Sequence, residues 1–342
     1  MAARKKLVRR LAVDHSQAIR RGVQVAFFAL NVWIAVQFWL FVRFYESGGA
    51  SRWAQRPPGV EGWLPIASLM NLKVWVLTGK VPAVHPAGMF VLIAFLAISW
   101  LLRKSFCGWL CPIGTISEWL WTVGKQTFGR NWRLPKWLDI PLRGLKYILL
   151  GLFLYAVGSM SVEGIRAFLD GPYGLVADVK MLNFFRYLTL GGAITVAFLV
   201  LASVFVQNFW CRYLCPYGAL MGLAALASPL RIRRQTELCI DCAKCARACP
   251  SMLPVDKLVQ IRSAECMACL QCVASCPAEG ALEIAAVLPK KRRVPAWAMA
   301  AAMAVLFVGV VGYAQHAGYW RTDLPSRVLF ELVPHAQEFT HP

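Results

Sequence analysis

The cysteines of this chain, twelve in 342 residues, fall in clusters whose spacing is typical of metal ligands. Residues 239–249 and 266–276 each follow the pattern Cys-x2-Cys-x2-Cys-x3-Cys, and a proline comes directly after each run. Three closely spaced thiolates can hold three corners of a [4Fe–4S] cluster, and in the two-cluster arrangement the fourth ligand comes from the other run. The spacing therefore predicts two iron–sulfur clusters with crossed ligands.

The crossed pattern assigns every cysteine of the two runs. The first predicted ligand set consists of Cys239, Cys242, Cys245 and Cys276. The second consists of Cys249, Cys266, Cys269 and Cys272. A zinc site needs only four ligands, commonly two Cys-x2-Cys pairs, so eight cysteines in two identical runs favour iron–sulfur over zinc.

Four further cysteines form two Cys-x3-Cys-Pro pairs, Cys107 with Cys111 and Cys211 with Cys215. On a helix, residues four apart share a face, and the proline that follows ends that helix or begins the next one. The four thiols could converge on an additional redox or metal site, such as a third cluster. They could also be a reactive dithiol, a soft-metal site, or buried cysteines that pack as small hydrophobic residues.

Long apolar segments separate these motifs. Hydrophobic residues make up 58% of the chain and the mean hydropathy is +0.53, above the range of globular proteins. Five segments have a length near that of a membrane span, although the third is short. They run over residues 22–42, 86–102, 147–161, 187–206 and 294–313. The predicted fold class is an all-α transmembrane bundle of about five helices with a cytoplasmic two-cluster domain of the bacterial ferredoxin type.

The same pattern predicts four regions. Residues 1–21 form a basic cytoplasmic N-terminus, and residues 22–232 form a membrane domain with four spans and both Cys-x3-Cys-Pro motifs. Residues 233–288 form the ferredoxin-like domain, and residues 289–342 hold the fifth span and a short periplasmic tail.

The net charge of +20 is explained by the membrane and not by nucleic acid. If the N-terminus is cytoplasmic, 27 of the 37 lysines and arginines lie in inside segments and 10 in outside segments. This bias follows the positive-inside rule. Basic clusters at residues 231–234 and 290–293 flank the apolar segments, where they can meet anionic lipid. We therefore expect a multi-pass protein of the bacterial inner membrane with its cysteines in or beside the reducing cytoplasm, where disulfides are disfavoured.

Other residue types carry weaker signals. Five histidines occur, His15, His85, His316, His335 and His341, and no two lie mid-span on facing segments, so a bis-histidine haem is not expected. They could bind a metal or carry protons at a quinol site, but ordinary surface histidines are the preferred interpretation. The sequence contains no phosphate-binding loop, dinucleotide fingerprint or hydrolase triad, and catalytic residues cannot be assigned.

With these motifs, the sequence resembles the polytopic 4Fe-4S membrane proteins typified by NapH, the quinol dehydrogenase component that serves periplasmic nitrate reductase. NosR and the cytochrome oxidase assembly protein CcoG are relatives. The resemblance runs from residue 63 to Pro277, and both Cys-x3-Cys-Pro pairs and the double ferredoxin motif carry it. It implies electron transfer with a quinone and a protein redox partner. The flavin domain of NosR has no counterpart before the first span, so no flavin is expected.

Two functions remain open at this point. The first is an electron-transfer module, such as a quinol dehydrogenase component, that links the quinone pool to a redox partner through two clusters. The alternative is a reductase or assembly factor for copper or another metal that uses the Cys-x3-Cys-Pro thiols. A redox sensor ranks third, because the sequence offers no output domain.

Overall fold

The computed structural model describes Arg10, residues 13–286 and residues 293–341. Most of the predicted basic N-terminal segment and the basic residues 290–292 lie outside the described residues. The described chain is mostly helical. Its α-helices are α1 (Ser16–Glu46), α2 (Pro65–Thr78), α3 (Pro86–Leu101), α4 (Pro112–Phe128), α5 (Lys136–Ser159), α6 (Val162–Asp170), α7 (Pro172–Leu175), α8 (Ala177–Arg186), α9 (Leu190–Phe205), α10 (Pro216–Leu226), α11 (Lys244–Ala248), α12 (Gln271–Ala274), α13 (Ala296–His316) and α14 (Ser326–Leu332).

Proline begins five of these helices: α2, α3, α4, α7 and α10. The N–H of the first helical residue has no intrahelical partner, so proline, which lacks an N–H, fits there without the loss of a hydrogen bond. Glycines in the left-handed conformation end α2 and α4, at Gly79 and Gly129. Such glycines satisfy the last carbonyls of a helix. Proline therefore marks where α4 and α10, the helices that follow the two Cys-x3-Cys motifs, begin, and glycine marks where α4 ends.

Three helices are long and apolar enough to cross a membrane: α1, α5 and α13. A fourth crossing is formed if α8 and α9, which bend by 81° at their junction, count as one span. The third predicted segment, residues 147–161, gains length because α5 begins at Lys136 and reaches 24 residues, or about 36 Å. The second, α3, has 16 residues and is too short to qualify alone. The lengths thus give a membrane protein with three to four spans among the described residues.

The chain divides into two compact units. The first comprises residues 1–28, 95–150 and 199–306 and contains all twelve cysteines. Its short sheet pairs β1 (Leu230–Arg234) with β2 (Leu282–Ala286) in antiparallel register, Ile232 opposite Ile284. These two isoleucines are 2% and 3% exposed, and so they lie on the buried face of the sheet.

The second unit comprises residues 29–94, 151–198 and 307–342. One of its cores joins the C-terminal half of α1 to α8 and α14, around Phe38, Val179 and Leu332. A second core packs α2 against α6 around Met70 and Ile165. A 3-10 helix at Pro58–Trp63 lies between α1 and α2 in the chain and contributes the fully buried Glu61.

Candidate metal centres

Each Cys-x3-Cys-Pro motif forms one turn of π-helix, at Phe106–Leu110 and at Trp210–Leu214. In the first turn, the N–H of Cys111 donates to the carbonyl oxygen of Phe106 at 2.9 Å. The equivalent bond in the second turn measures 3.0 Å. These i→i+5 bonds replace the α-helical turn that the i, i+4 spacing suggested, and single π-turns occur frequently at functional sites. We call the two segments the thiol turns.

The prolines after the thiol turns act as the spacing predicted. Pro112 is the first residue of α4 and Pro216 the first of α10. At the start of α10 the N–H of Gly218 donates to the Sγ atom of Cys215 at 3.2 Å. The second cysteine of each turn thus lies at a helix N-terminus, where N–H groups favour a thiolate.

The structure brings the four thiols of the two turns together. Cys107 interacts electrostatically with Cys215, and Cys211 interacts with all three of the other thiols. Burial raises the pKa of Cys107 to about 11, and burial also raises the pKa of the other three. Buried thiols of this kind need a nearby positive charge to ionise, and a metal supplies such a charge.

Two buried cations act on this set of thiols. Lys104 is 3% exposed and Lys146 is fully buried, and the charges of both oppose the rise in pKa of Cys107 and Cys215. Lys146 pairs with Glu265 at 2.6 Å. Lys104 also acts on Glu265, and the charges of the two lysines hold the pKa of this carboxyl below its usual value although burial opposes them. One carboxylate, Glu265, faces two buried lysines, so a further negative charge, such as an anionic group held by the thiols, fits beside Lys104.

The first ferredoxin set also lies together. Cys245 interacts electrostatically with Cys239 and Cys276, and Cys276 interacts with Cys239 and Cys242. The last cysteine of the second run is therefore a neighbour of the first three cysteines of the first run. That these four cysteines bind one cluster stays a prediction of the crossed spacing.

The second ferredoxin set shows the reciprocal arrangement. Cys272 interacts with Cys249, Cys266 and Cys269, and burial raises its pKa. Burial likewise raises the pKa of Cys269, to about 12. Cys249, from the first run, is thus the fourth member of a set whose other members come from the second run.

Both runs wrap their cysteines on the same unusual backbone. Asp241 and Ala243 have φ of 54° and 55°, and the equivalent residues Ala268 and Leu270 have φ of 48° and 59°. Non-glycine residues rarely adopt positive φ, which costs on the order of 1–3 kcal/mol for each residue. Because the strain recurs at equivalent positions, we infer that both loops are shaped around the same kind of ligand.

The spacing of the thiols also bears on the kind of metal. Four sulfurs around one zinc ion lie about 3.8 Å apart, given Zn–S bonds of about 2.3 Å. In the described part of the chain, no three His, Cys, Asp or Glu side chains are close enough to hold a single ion. A four-iron cluster keeps its cysteines farther apart, because iron and sulfide lie between them.

The first thiol turn packs on the second ferredoxin loop. The indole N–H of the fully buried Trp109 donates to the carbonyl oxygen of Ala268 at 2.9 Å. Next to it, a Cβ atom at Gly108 would lie 2.7 Å from the carbonyl oxygen of Met267. Gly108 follows Cys107, and Met267 follows Cys266, so the set of thiols in the turns and the second ferredoxin set are direct neighbours.

A polar bridge between three helices holds this contact. Arg20 of α1 pairs with Glu118 of α4 at 2.7 Å. Glu118 also accepts a hydrogen bond of 2.9 Å from Gln271 of α12. Gln17 donates to the carbonyl oxygen of Cys269 at 3.0 Å, so α1 touches the ferredoxin loop itself. Residues far apart in sequence therefore fix the position of the second set.

The second unit contains a buried charged cluster that the sequence reasoning missed. Glu61 and His85 are 0% and 1% exposed, so the interpretation of His85 as a surface histidine is wrong. Arg56 bonds Glu61 at 2.7 Å, Asp178 at 2.7 Å and the ring of His85 at 3.2 Å. The local signal in the sequence is the step from His85 to Pro86, and in the structure His85 has a φ of 54°.

Comparison with known proteins supports iron–sulfur binding at the level of the family. A 4Fe-4S binding domain matches residues 84–135 and 188–235, which include both thiol turns, and a 4Fe-4S dicluster domain matches residues 231–277. The chain is 47% identical over 326 residues to YccM of Escherichia coli (strain K12), covering 94% of this chain and 91% of YccM. The chain belongs to the YccM family. YccM is named as a candidate electron transport protein.

More distant relatives of this YccM family member carry related names. The ferredoxin-type protein NapH of Escherichia coli (strain K12) is 26% identical over 215 residues, 59% of this chain and 68% of NapH. The regulatory protein NosR of Pseudomonas aeruginosa is 32% identical over 165 residues, which is 47% of this chain and 22% of NosR. No solved structure matches the chain. The resemblance to the 4Fe-4S membrane proteins is thereby confirmed.

Proposed function

We propose that the chain is a membrane-bound electron-transfer protein that links the quinone pool to a protein redox partner through two [4Fe–4S] clusters. The observation that carries this proposal is the crossed convergence of the eight ferredoxin cysteines. When bound, such clusters accept and donate single electrons. The protein holds them, sets their surroundings and keeps them close enough for transfer.

The four thiols of the thiol turns are proposed to hold a third metal centre, most simply a further [4Fe–4S] cluster. Three features support this assignment: the mutual proximity of the thiols, the buried Lys104 beside them, and the 4Fe-4S family match over both turns. A cluster with four thiolate ligands is an anion, so a buried lysine offsets its charge. Through the contact of Trp109 with Ala268, this centre would neighbour the second ferredoxin set.

We propose that the cysteines face the bacterial cytoplasm, with the C-terminus in the periplasm. The excess of lysine and arginine in the segments that carry the cysteines supports this orientation. Five crossings satisfy the charge pattern if α3 is counted, although its 16 residues reach only about 24 Å. Side chains of α3 itself, among them Leu92 and Ile98, are buried, so protein rather than lipid surrounds much of this short helix. In this topology residues 233–288 form the cytoplasmic ferredoxin-like domain.

The names of the relatives support electron transfer in general. YccM is named for electron transport, and NapH and MauN are named ferredoxin-type proteins. The proposed role of this chain is that of a quinol dehydrogenase component. The quinone would be one partner and a membrane or soluble redox protein the other.

The test is reduction of the clusters by quinol. The full chain is purified without oxygen, inserted in liposomes and mixed with a reduced quinol analogue while the visible absorbance of the clusters is followed. We expect bleaching in the wild type and a smaller amplitude in Cys276→Ser, which removes one proposed ligand. If dithionite reduces the clusters and no quinol of suitable potential does, the quinone link is wrong.

A further inference from the structure

A cavity of about 460 Å³ lies in the second unit, between the C-terminal part of α1 and the segment before α14. That volume is within the range of small-molecule sites. Its wall includes Phe41 and Tyr45 of α1 and the exposed Trp53. Arg56 and Thr322 also line it, and we call these two polar residues the floor. Because α1 is one of the helices long enough to cross a membrane, an apolar ligand dissolved in lipid can reach an aromatic wall of this kind.

The two polar residues of the floor are fixed by one carboxylate oxygen. Thr322 donates its hydroxyl proton to Oε1 of Glu61 at 2.7 Å, and Arg56 donates to the same oxygen at 2.7 Å. The hydroxyl oxygen of Thr322 also accepts from the backbone N–H of His85 at 3.0 Å. A hydroxyl has two acceptor positions, so Thr322 keeps one for a ligand and has no proton left to give.

Arg56 offers the complementary group. Three of its five N–H groups donate to Glu61 and Asp178, and a fourth, on the Nη2 atom, lies beside the Nδ1 atom of His85; among the described residues this leaves one N–H on the Nη1 atom. The floor therefore presents one acceptor and one donor side by side. A phenolic hydroxyl satisfies both at once, because it donates to Thr322 and accepts from Arg56.

The charge of the floor argues against an anionic ligand. Arg56 is matched by two buried carboxylates, Glu61 and Asp178, at 2.7 Å each. Arg321 and Asp323, which carry opposite charges, also line the cavity. An anion would therefore find no excess of positive charge. A neutral aromatic diol fits the aromatic wall and the paired donor and acceptor.

We infer that this cavity binds the ring of a lipid-soluble quinol, with one ring hydroxyl between Thr322 and Arg56; the inference rests on the proposed function. The quinol is preferred over the quinone, because a quinone carbonyl accepts from Arg56 but has no proton for Thr322. Burial opposes the charge of Glu61, but Arg56 and His85 prevail and hold its pKa at about 2. Glu61 thus stays ionised and keeps the proton of Thr322 directed away from the ligand.

The experiment measures binding without oxygen, using decylubiquinol and the full chain in lipid nanodiscs. Thr322→Val removes the acceptor and keeps the shape, and we expect about three- to tenfold weaker binding, the range for one hydrogen bond. Thr195→Val is the matched control, since the exposed Thr195 bonds only the carbonyl oxygen of Gly191. Leu324→Trp fills the cavity from its wall and should abolish binding; it replaces the first variant if Thr322→Val does not assemble.

An azido-quinone label is mapped in parallel and should attach within residues 41–58 or 321–329. The inference is overturned if the label attaches elsewhere, or if Thr322→Val and Leu324→Trp bind the quinol as the wild type does. In that case quinol can still reduce the clusters, and the proposed function survives. If the quinol binds in the cavity but does not reduce the clusters, the site stands and the proposed function fails.

Discussion

A methyl group at Gly108 would lie 2.7 Å from the carbonyl oxygen of Met267, so the first thiol turn meets the second ferredoxin loop backbone to backbone. The bond from Trp109 to Ala268 closes the same contact at 2.9 Å. Both elements carry cysteines on either side of the contact. The fold therefore holds the thiols of the turns and the second ferredoxin set at a fixed separation, as an electron path requires.

Gly108→Ala tests this contact directly. The added Cβ cannot avoid a backbone atom, so the loop must shift, and we expect a loss of stability of about 1–3 kcal/mol together with lower iron content. Gly144→Ala is the control, because a Cβ there meets nothing within 4 Å and α5 gains about 0.5–1 kcal/mol from the better helix former. Thermal unfolding and iron analysis compare the two. Equal behaviour of both variants would contradict the proposed packing.

The crossed ligation makes a prediction that sequence order alone does not. Cys249→Ser should alter the electron paramagnetic resonance (EPR) signal of the cluster held by the second run, and Cys276→Ser the signal of the other cluster. The two variants are each other's control. The EPR spectra of both variants, recorded on reduced samples, are compared with those of variants of Cys266, which belongs to the second set, and of Cys242, which belongs to the first. The account is wrong here if Cys249→Ser changes the same signal as Cys242→Ser.

Lys104 is expected to tune the centre at the thiol turns. Lys104→Met removes a buried positive charge beside Cys107 and Cys215, so adding an electron to an anionic centre becomes less favourable. Its reduction potential should fall by tens of millivolts, or the centre should be lost while the ferredoxin clusters remain. Lys125→Met, on the exposed side of α4, is the matched control. A redox titration that gives the same potentials for both variants would exclude this role.

Glu61 makes the second unit sensitive to acid. Burial raises the pKa of Glu61, but Arg56 and His85 outweigh it and lower that pKa from 4.5 to about 2. A carboxyl with a lowered pKa stabilises the fold above its unfolded pKa, and this stabilisation, about 3 kcal/mol, is lost as the pH falls from about 4.5 to about 2.

The free energy of unfolding should therefore change less across that pH range in Glu61→Gln than in the wild type. Glu331→Gln, at an exposed position of α14, should keep the acid dependence of the wild type. A Glu61→Gln variant with the same slope as the wild type would show that the carboxylate is not held ionised by the cluster.

The cysteine motifs could be interpreted from the sequence because their information is local. A cluster ligand must recur at fixed short spacing, so the two runs and the two pairs were visible without a structure. That the thiol turns are π-helical could not be predicted, because the i, i+4 spacing of their cysteines suits an α-turn as well as a π-turn followed by proline. The contact of Trp109 with Ala268 joins residues 159 apart, and no local pattern reports it.

Each of the five predicted segments overlaps an α-helix, but among the described residues only α1, α5 and α13 qualify as membrane spans by themselves. The first turns of α5 were not predicted as part of the span because they contain charged residues. Two of these, Asp139 and Arg143, pair with each other within the helix. The 81° bend between α8 and α9 has no proline or glycine at its break to announce it. His85 was misjudged because its partners come from three distant segments, at residues 56–61, 174–178 and 322.

The central claim is tested most directly by counting iron and acid-labile sulfide in the chain purified without oxygen, together with its low-temperature EPR spectrum. Three sets of four cysteines predict about twelve irons and twelve sulfides per chain, with the signals of reduced [4Fe–4S] clusters. About eight of each would leave the ferredoxin clusters in place and remove the centre at the thiol turns. A colourless chain that holds zinc, or no metal, would contradict the account.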